Sequence, residues 1–111
     1  MSLPRELGPT AVKALLEGDA GGRPVLLDVR NPDEHELCQL PGAVLLPLPE
    51  LPERADELEP YRGRTIVVYC HHGVRSLSGA AFLSSLGFST TSLRGGIEAW
   101  SREVDPSVPT Y

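Results

Sequence analysis

The sequence predicts an α/β domain built on a parallel sheet, and three observations carry that prediction. Short continuous apolar runs, "RPVLLDVR", "PGAVLLPL" and "RTIVVYC", have the length and two-sided hydrophobicity of strands buried on both faces. Segments with helical start and stop signals lie between them. The two kinds of segment alternate, as parallel strands joined by crossover helices require.

Taken in order, "GPTAVKALLEG" reads as a first helix, with Pro9 at the first helical position and Gly18 as a left-handed stop. "RPVLLDVR" is a buried strand. "NPDEHELC" offers an Asn31 cap, Pro32 at the first turn and Glu34 three residues after the cap, hence a short helix. "PGAVLLPL" is a second buried strand behind a Pro-Gly turn. "PELPERADELEPY" reads as an acidic surface helix interrupted by prolines. "RTIVVYC" is the strongest strand. "RSLSGAAFLSSLG" is a helix with a wide apolar face that Gly87 stops. "TTSLRGG" gives a short strand and a glycine turn, "GIEAWSREV" a last short helix, and "DPSVPTY" an extended tail.

With 111 residues the chain is expected to form one domain, with a core over residues 5–104 and a tail over 105–111. No apolar run approaches the ~20 residues that span a bilayer, and "MSLPRELGP" lacks a signal-peptide pattern. A cytoplasmic protein is the expectation, and two cysteines there remain thiols. A net charge of −5 argues against nucleic acid or an anionic membrane as partner. The charge is uneven, however. Residues 28–59 hold nine acids against two arginines, whereas residues 60–102 hold five arginines against Glu98 alone.

The stretch "YCHHGVRS" concentrates the chemistry. It sets Cys70 at the carboxyl end of the strongest strand, where open α/β sheets bind ligands. The loop after it runs directly into a helix, so backbone N–H groups and a positive helix end converge on the sulfur. Gly73 lets the loop turn, and the same field favours a thiolate. His71, His72 and Arg75 add positive or potentially positive charge. Nucleophile is the leading reading of Cys70. A small buried thiol is the bland alternative. A metal site is weaker: His35 and Cys38 are three apart on a helix, and Cys70 with His72 could add two ligands, but no zinc-module spacing is present.

The sequence then resembles the rhodanese family, over roughly residues 5–104. "LLDVRNPDEHE" resembles that family's Asp-Val-Arg strand end and acidic helix, "LPGAVLLPL" its Pro-Gly-Ala turn, "IVVYCHHGVRS" its active-site loop, and "GFSTTSLRGGIEAW" its closing strand, Gly-Gly turn and Trp-bearing helix. The resemblance implies a central parallel sheet of about five short strands flanked by helices. It implies a sulfurtransferase that forms a persulfide on Cys70, without metal or organic cofactor. His71, His72, Gly73, Val74 and Arg75 would cradle substrate and persulfide, and Asp28 and Arg30 would be structural, a buried ion pair holding the strand ends. A small anionic donor such as thiosulfate is expected, with a thiol or a sulfur-carrier protein as acceptor. Cys38-Gln39 stands where many members have Gly-His, which puts a second thiol on an element that could approach the site. The His-His pair matches neither the basic loop of thiosulfate enzymes nor the small-residue loop of mercaptopyruvate enzymes. The loop and tail look most like rhodanese domains fused to enzymes that adenylate sulfur carriers. A cysteine phosphatase or arsenate reductase is the rival enzyme, but those use Cys-x5-Arg and this loop is Cys-x4-Arg. A non-catalytic binding module is the rival outside enzymology; that class usually lacks the cysteine.

Overall fold

The computed structural model describes residues 3–18 and 23–111. Five strands form one parallel sheet: β1 (Glu6–Leu7), β2 (Val25–Asp28), β3 (Val44–Leu45), β4 (Thr65–Tyr69) and β5 (Ser89–Leu93), in the spatial order β1-β5-β4-β2-β3. The helices are α1 (Pro9–Leu16), α2 (Pro32–Leu37), α3 (Leu51–Arg54), α4 (Val74–Ser85) and α5 (Gly96–Glu103). No helix among the described residues is long and apolar enough to cross a membrane.

Strand periodicity divides the core into two layers. Val25, Leu27, Ile66, Val68 and Cys70 face Leu51, Leu58, Ala80 and Leu83, the layer of α3 and α4. Leu26, Val67 and Tyr69 face Val12, Ile97 and Trp100, the layer of α1 and α5. Strand β4 is central and sealed on both faces, with Ile66, Val67 and Val68 wholly buried. Truncating Ile66 to alanine should therefore cost about 2–5 kcal/mol.

β5 is a strand of hydroxyls, and each one placed inside has a partner. Thr90 Oγ1 donates to the Ala80 carbonyl at 2.7 Å and Thr91 Oγ1 to the Pro4 carbonyl at 2.8 Å. Ser92 Oγ lies 2.7 Å from Ser76 Oγ. These bonds offset the cost of burying polar groups.

The elements depart from the sequence reading in five places. β3 is a half-buried edge strand of two residues rather than a buried one. β1 is an additional strand of two residues, too short to show a period, and it exists because its backbone pairs with β5. Gly18 does not stop α1: the helix ends at Leu16, and Glu17 caps it in right-handed geometry. Residues 48–61 are not one surface helix. Prolines divide them into a 3-10 turn at Leu48–Glu50, the single turn α3 and a 3-10 run at Ala55–Tyr61, while Leu51, Ala55 and Leu58 enter the core. The tail is not simply extended. It turns after α5, buries Val108, whose carbonyl accepts from Ser101 Oγ, and brings Tyr111 back to the carboxyl end of the sheet.

Candidate active site around Cys70

Cys70 follows the last residue of β4 and is 1% exposed. Its Sγ accepts hydrogen bonds from the Gly73 N–H at 3.1 Å and the Ser76 N–H at 3.3 Å, and lies 3.5 Å from Ser76 Oγ. Gly73 caps α4 with φ of 98°, in the left-handed region. A Cβ there would lie 3.0 Å from the Gly95 nitrogen, so both the turn and the tight approach call for glycine. The first turn of α4 thus closes on the sulfur.

The same loop is held from behind by α5. The Ile97 N–H donates to the Cys70 carbonyl at 2.9 Å, and the Glu98 N–H donates to the His71 carbonyl at 3.2 Å. Gly96 sits beneath the loop so closely that a Cβ would lie 2.3 Å from the His71 oxygen and 2.5 Å from that of Cys70.

His71 and His72 do not diverge, as adjacent side chains usually do. Their rings stack at 3.9 Å, and Tyr111 stacks on His71 at 3.8 Å with the planes 7° apart. His71 is therefore the middle ring of three, while His72 is exposed. Burial and the neighbouring His72 lower the His71 pKa, with Glu98 opposing them, so His71 is mainly neutral at pH 7. Ligand atoms of His71, His72 and Glu98 lie within 4.8 Å of one another. The two imidazoles lie face to face at 3.9 Å with planes 24° apart, however, and in-plane lone pairs of rings so stacked do not meet on one ion.

Arg75 is not a free loop arginine. It belongs to the first turn of α4 and forms a bidentate pair with Glu34, Nη1 to Oε1 at 2.7 Å and Nη2 to Oε2 at 3.0 Å. Val74 beside it is 74% exposed and touches solvent. Arg75 holds the Glu34 carboxyl down at about 2, with further help from the Asn31 N–H and the Tyr111 hydroxyl.

Behind this pair lies a second one. Asp28 and Arg30, both wholly buried, join through Nε to Oδ1 at 2.9 Å and Nη2 to Oδ2 at 2.8 Å. Tyr69 Oη donates to Asp28 Oδ2 at 3.2 Å, and His35 Nδ1 lies 2.7 Å from the same oxygen. Arg30 Nη2 also donates to the Cys38 carbonyl. The Tyr111 hydroxyl joins the two pairs, accepting from Arg30 Nη1 at 2.8 Å and donating to Glu34 Oε2 at 2.8 Å. Burial pushes the Tyr111 phenol up to about 12, so it remains a donor at neutral pH.

Two readings of the second cysteine are corrected. Cys38 packs in the core layer of α1 and α5 and Cys70 in the other layer, so the two sulfurs are not neighbours; Cys38 meets the Cys70 loop only indirectly, through Arg30 and Tyr111. The metal set of His35, Cys38, Cys70 and His72 is likewise not assembled, because His35 is bound to Asp28 and the two sulfurs face different layers.

A rhodanese-like domain model matches residues 9–103. The chain belongs to the rhodanese family. It is similar to a sulfurtransferase of Allochromatium vinosum, 38% identical over 85 residues that cover 76% of this chain and 78% of that one. It is also similar to the probable adenylyltransferase/sulfurtransferase MoeZ of Mycobacterium tuberculosis, 35% identical and covering 84% of this chain and 24% of that protein. The chain thus spans less than a third of the length of several curated relatives that it matches. Among solved structures, a rhodanese-related protein from Thermoplasma volcanium superposes with a TM-score of 0.82 at 30% identity, over 97% of this chain and all of that one. The rhodanese fold and a sulfurtransferase family follow from these likenesses.

Of the residues singled out in the sequence, Cys70, His71, His72, Gly73, Val74 and Arg75 do form one continuous loop and helix start, and Asp28 with Arg30 lies behind them. Ser76, Glu34 and Tyr111 were missed. Ser76 follows Arg75 directly and could have been found from its place at the helix start. Glu34 was read only as a helix signal, and nothing local marks Tyr111.

Proposed function

We propose that this rhodanese-family protein transfers sulfane sulfur through a persulfide on Cys70. The observation that carries the reading is the pair of backbone donors on Cys70 Sγ, the N–H groups of Gly73 and Ser76 at the positive end of α4. Such a cradle suits an anionic sulfur, whether thiolate or persulfide. In the first half-reaction the Cys70 thiolate attacks the outer sulfur of a donor such as thiosulfate. The S–S bond of the donor breaks, sulfite departs with its electron pair, and the Cys70 persulfide remains. Loop amides hold the new terminal sulfur as donors hold an oxyanion. In the second half-reaction a thiophile attacks that outer sulfur and the Cys70 thiolate is restored. The acceptor is a thiol or a sulfur-carrier protein. The likeness to MoeZ, whose name joins adenylyltransfer to sulfurtransfer, supports a carrier.

Incubation with thiosulfate should release sulfite and add the mass of one sulfur atom, mapped to Cys70 and removed by cyanide as thiocyanate. Cys70→Ser should fold and gain nothing, because a hydroxyl is a far poorer nucleophile. Mercaptopyruvate and a protein persulfide serve as further donors. Loading of Cys38 in the Cys70→Ser protein, or failure of all three donors, would sink the reading.

A further inference from the structure

We infer that Tyr111 and Glu34 are specificity-determining residues: together they mask the charge of Arg75 and turn the Cys70 site away from small dianionic sulfur donors toward donors of lower charge. The inference rests on the persulfide reading of Cys70. Arg75 lies within electrostatic range of Cys70, and a free guanidinium there would receive a dianion bidentately. Its fork is instead filled by both oxygens of Glu34. The carboxylate is fixed from two further sides, by the Asn31 N–H at 3.1 Å and by the Tyr111 hydroxyl at 2.8 Å. Tyr111 is itself anchored by Arg30 and by its ring on His71. Arg75, and the buried Arg30 behind it, therefore each carry a carboxylate partner already. What remains at the sulfur itself is the amide cradle of Gly73 and Ser76, which carries no net charge.

Two donors with the same reacting bond and different charge isolate this effect. Thiosulfate is a dianion; methanethiosulfonate is a monoanion. With each, the Cys70 thiolate takes the outer sulfur and the S–S bond breaks, expelling sulfite from the first and methanesulfinate from the second. The quantity to measure is the ratio of kcat/KM for thiosulfate over methanethiosulfonate in the wild type, Glu34→Gln and Tyr111→Phe. Glu34→Gln removes the competing charge and should raise the ratio about tenfold or more, the scale of one charge-assisted contact. Tyr111→Phe keeps the ring on His71 and loses only the hydroxyl, so it should raise the ratio in the same direction by a smaller factor. A purely structural role would slow both donors alike and leave the ratio unchanged, which overturns the inference. A rise in Glu34→Gln with none in Tyr111→Phe removes Tyr111 from the assignment. If both donors load Cys70 in the wild type and the ratio is flat across the variants, only the inference falls. If neither loads Cys70 while mercaptopyruvate or a protein persulfide does, the inference falls alone; if none of the four loads it, the persulfide reading falls and takes the inference with it.

Discussion

Helices α4 and α5 both start at a glycine beside the Cys70 loop, yet their first N–H groups serve different ends. At α5 the donors of Ile97 and Glu98 are spent on two backbone carbonyls, those of Cys70 and His71. At α4 the donors of Gly73 and Ser76 converge on one side-chain atom, the Cys70 sulfur. Unsatisfied N–H groups at a helix start form a positive end in either case. One end is saturated by atoms that never change and so fixes the loop. The other is satisfied by an atom whose charge and bonding can change, and so it is the end fit for chemistry. Rigidity thus belongs to α5, and the donors left open to chemistry belong to α4.

The sharpest way to break that division is at Gly96. A methyl group there would run into two backbone oxygens, and φ of 66° already disfavours any side chain. Gly96→Ala should cost about 2–5 kcal/mol, the sum of overpacking and left-handed strain. It should also slow sulfur loading, because the loop loses its support. Urea unfolding and single-turnover sulfite release measure the two effects. If the variant is as stable as the parent, α5 does not hold the loop.

Arg75 tests the α4 side. Removing it leaves the Glu34 carboxylate without its cationic partner, so Arg75→Ala should lower kcat/KM for thiosulfate by roughly one to two decades. The double variant with Glu34→Gln should recover part of that loss, since no bare carboxylate then faces the dianion. Unchanged thiosulfate kinetics in folded Arg75→Ala would remove Arg75 from the site.

The arginine also shows where the sequence stops being legible. The β4 strand, the glycine turn and the start of α4 are local patterns, and the Cys70 loop could be read from them. The partner of Arg75 is 41 residues away and that of Tyr111 up to 81, distances at which no periodicity speaks. Tyr111 reaches Arg30 because the chain turns after α5 and Val108 is buried. That is a packing event of the whole fold. The broken helix at 48–61 is a nearer failure: its prolines stand in the sequence, but the burial of Leu51 and Leu58 that draws the pieces into the core depends on the rest of the fold.

Acid should expose the link between α2 and α4. The Glu34 carboxyl is lowered from the usual 4.5 to about 2 by Arg75 first, then by the Asn31 N–H and Tyr111. A depressed acid contributes stability that is fully present above its unfolded pKa and disappears as pH falls through its folded one. The wild type should therefore lose this contribution between pH 4.5 and about 2, and Glu34→Gln should lack it. Urea midpoints taken across that window check the sign. A Glu34→Gln protein with the same acid sensitivity as the parent would mean that the pair contributes nothing to folding.

The smallest effect belongs to the thiol that neither helix start touches. Cys38 lies past the end of α2, buried in the layer of α1 and α5, with its sulfur 3.9 Å from Arg30 Nη1. Cys70 packs in the other layer, that of α4, so the two sulfurs are not neighbours. Its contact with Arg30 is long, and the short bond from that arginine goes to the Cys38 carbonyl, which a substitution keeps. Cys38→Ser should thus leave sulfite release within about twofold of the parent and change stability by about 1 kcal/mol or less, the range of a tolerated buried polar swap. The variant also tests whether the α4 cradle suffices alone. Loss of loading in a folded Cys38→Ser protein would require a second sulfur in the transfer, which two thiols in different core layers could supply only if the loop left its seat on α5.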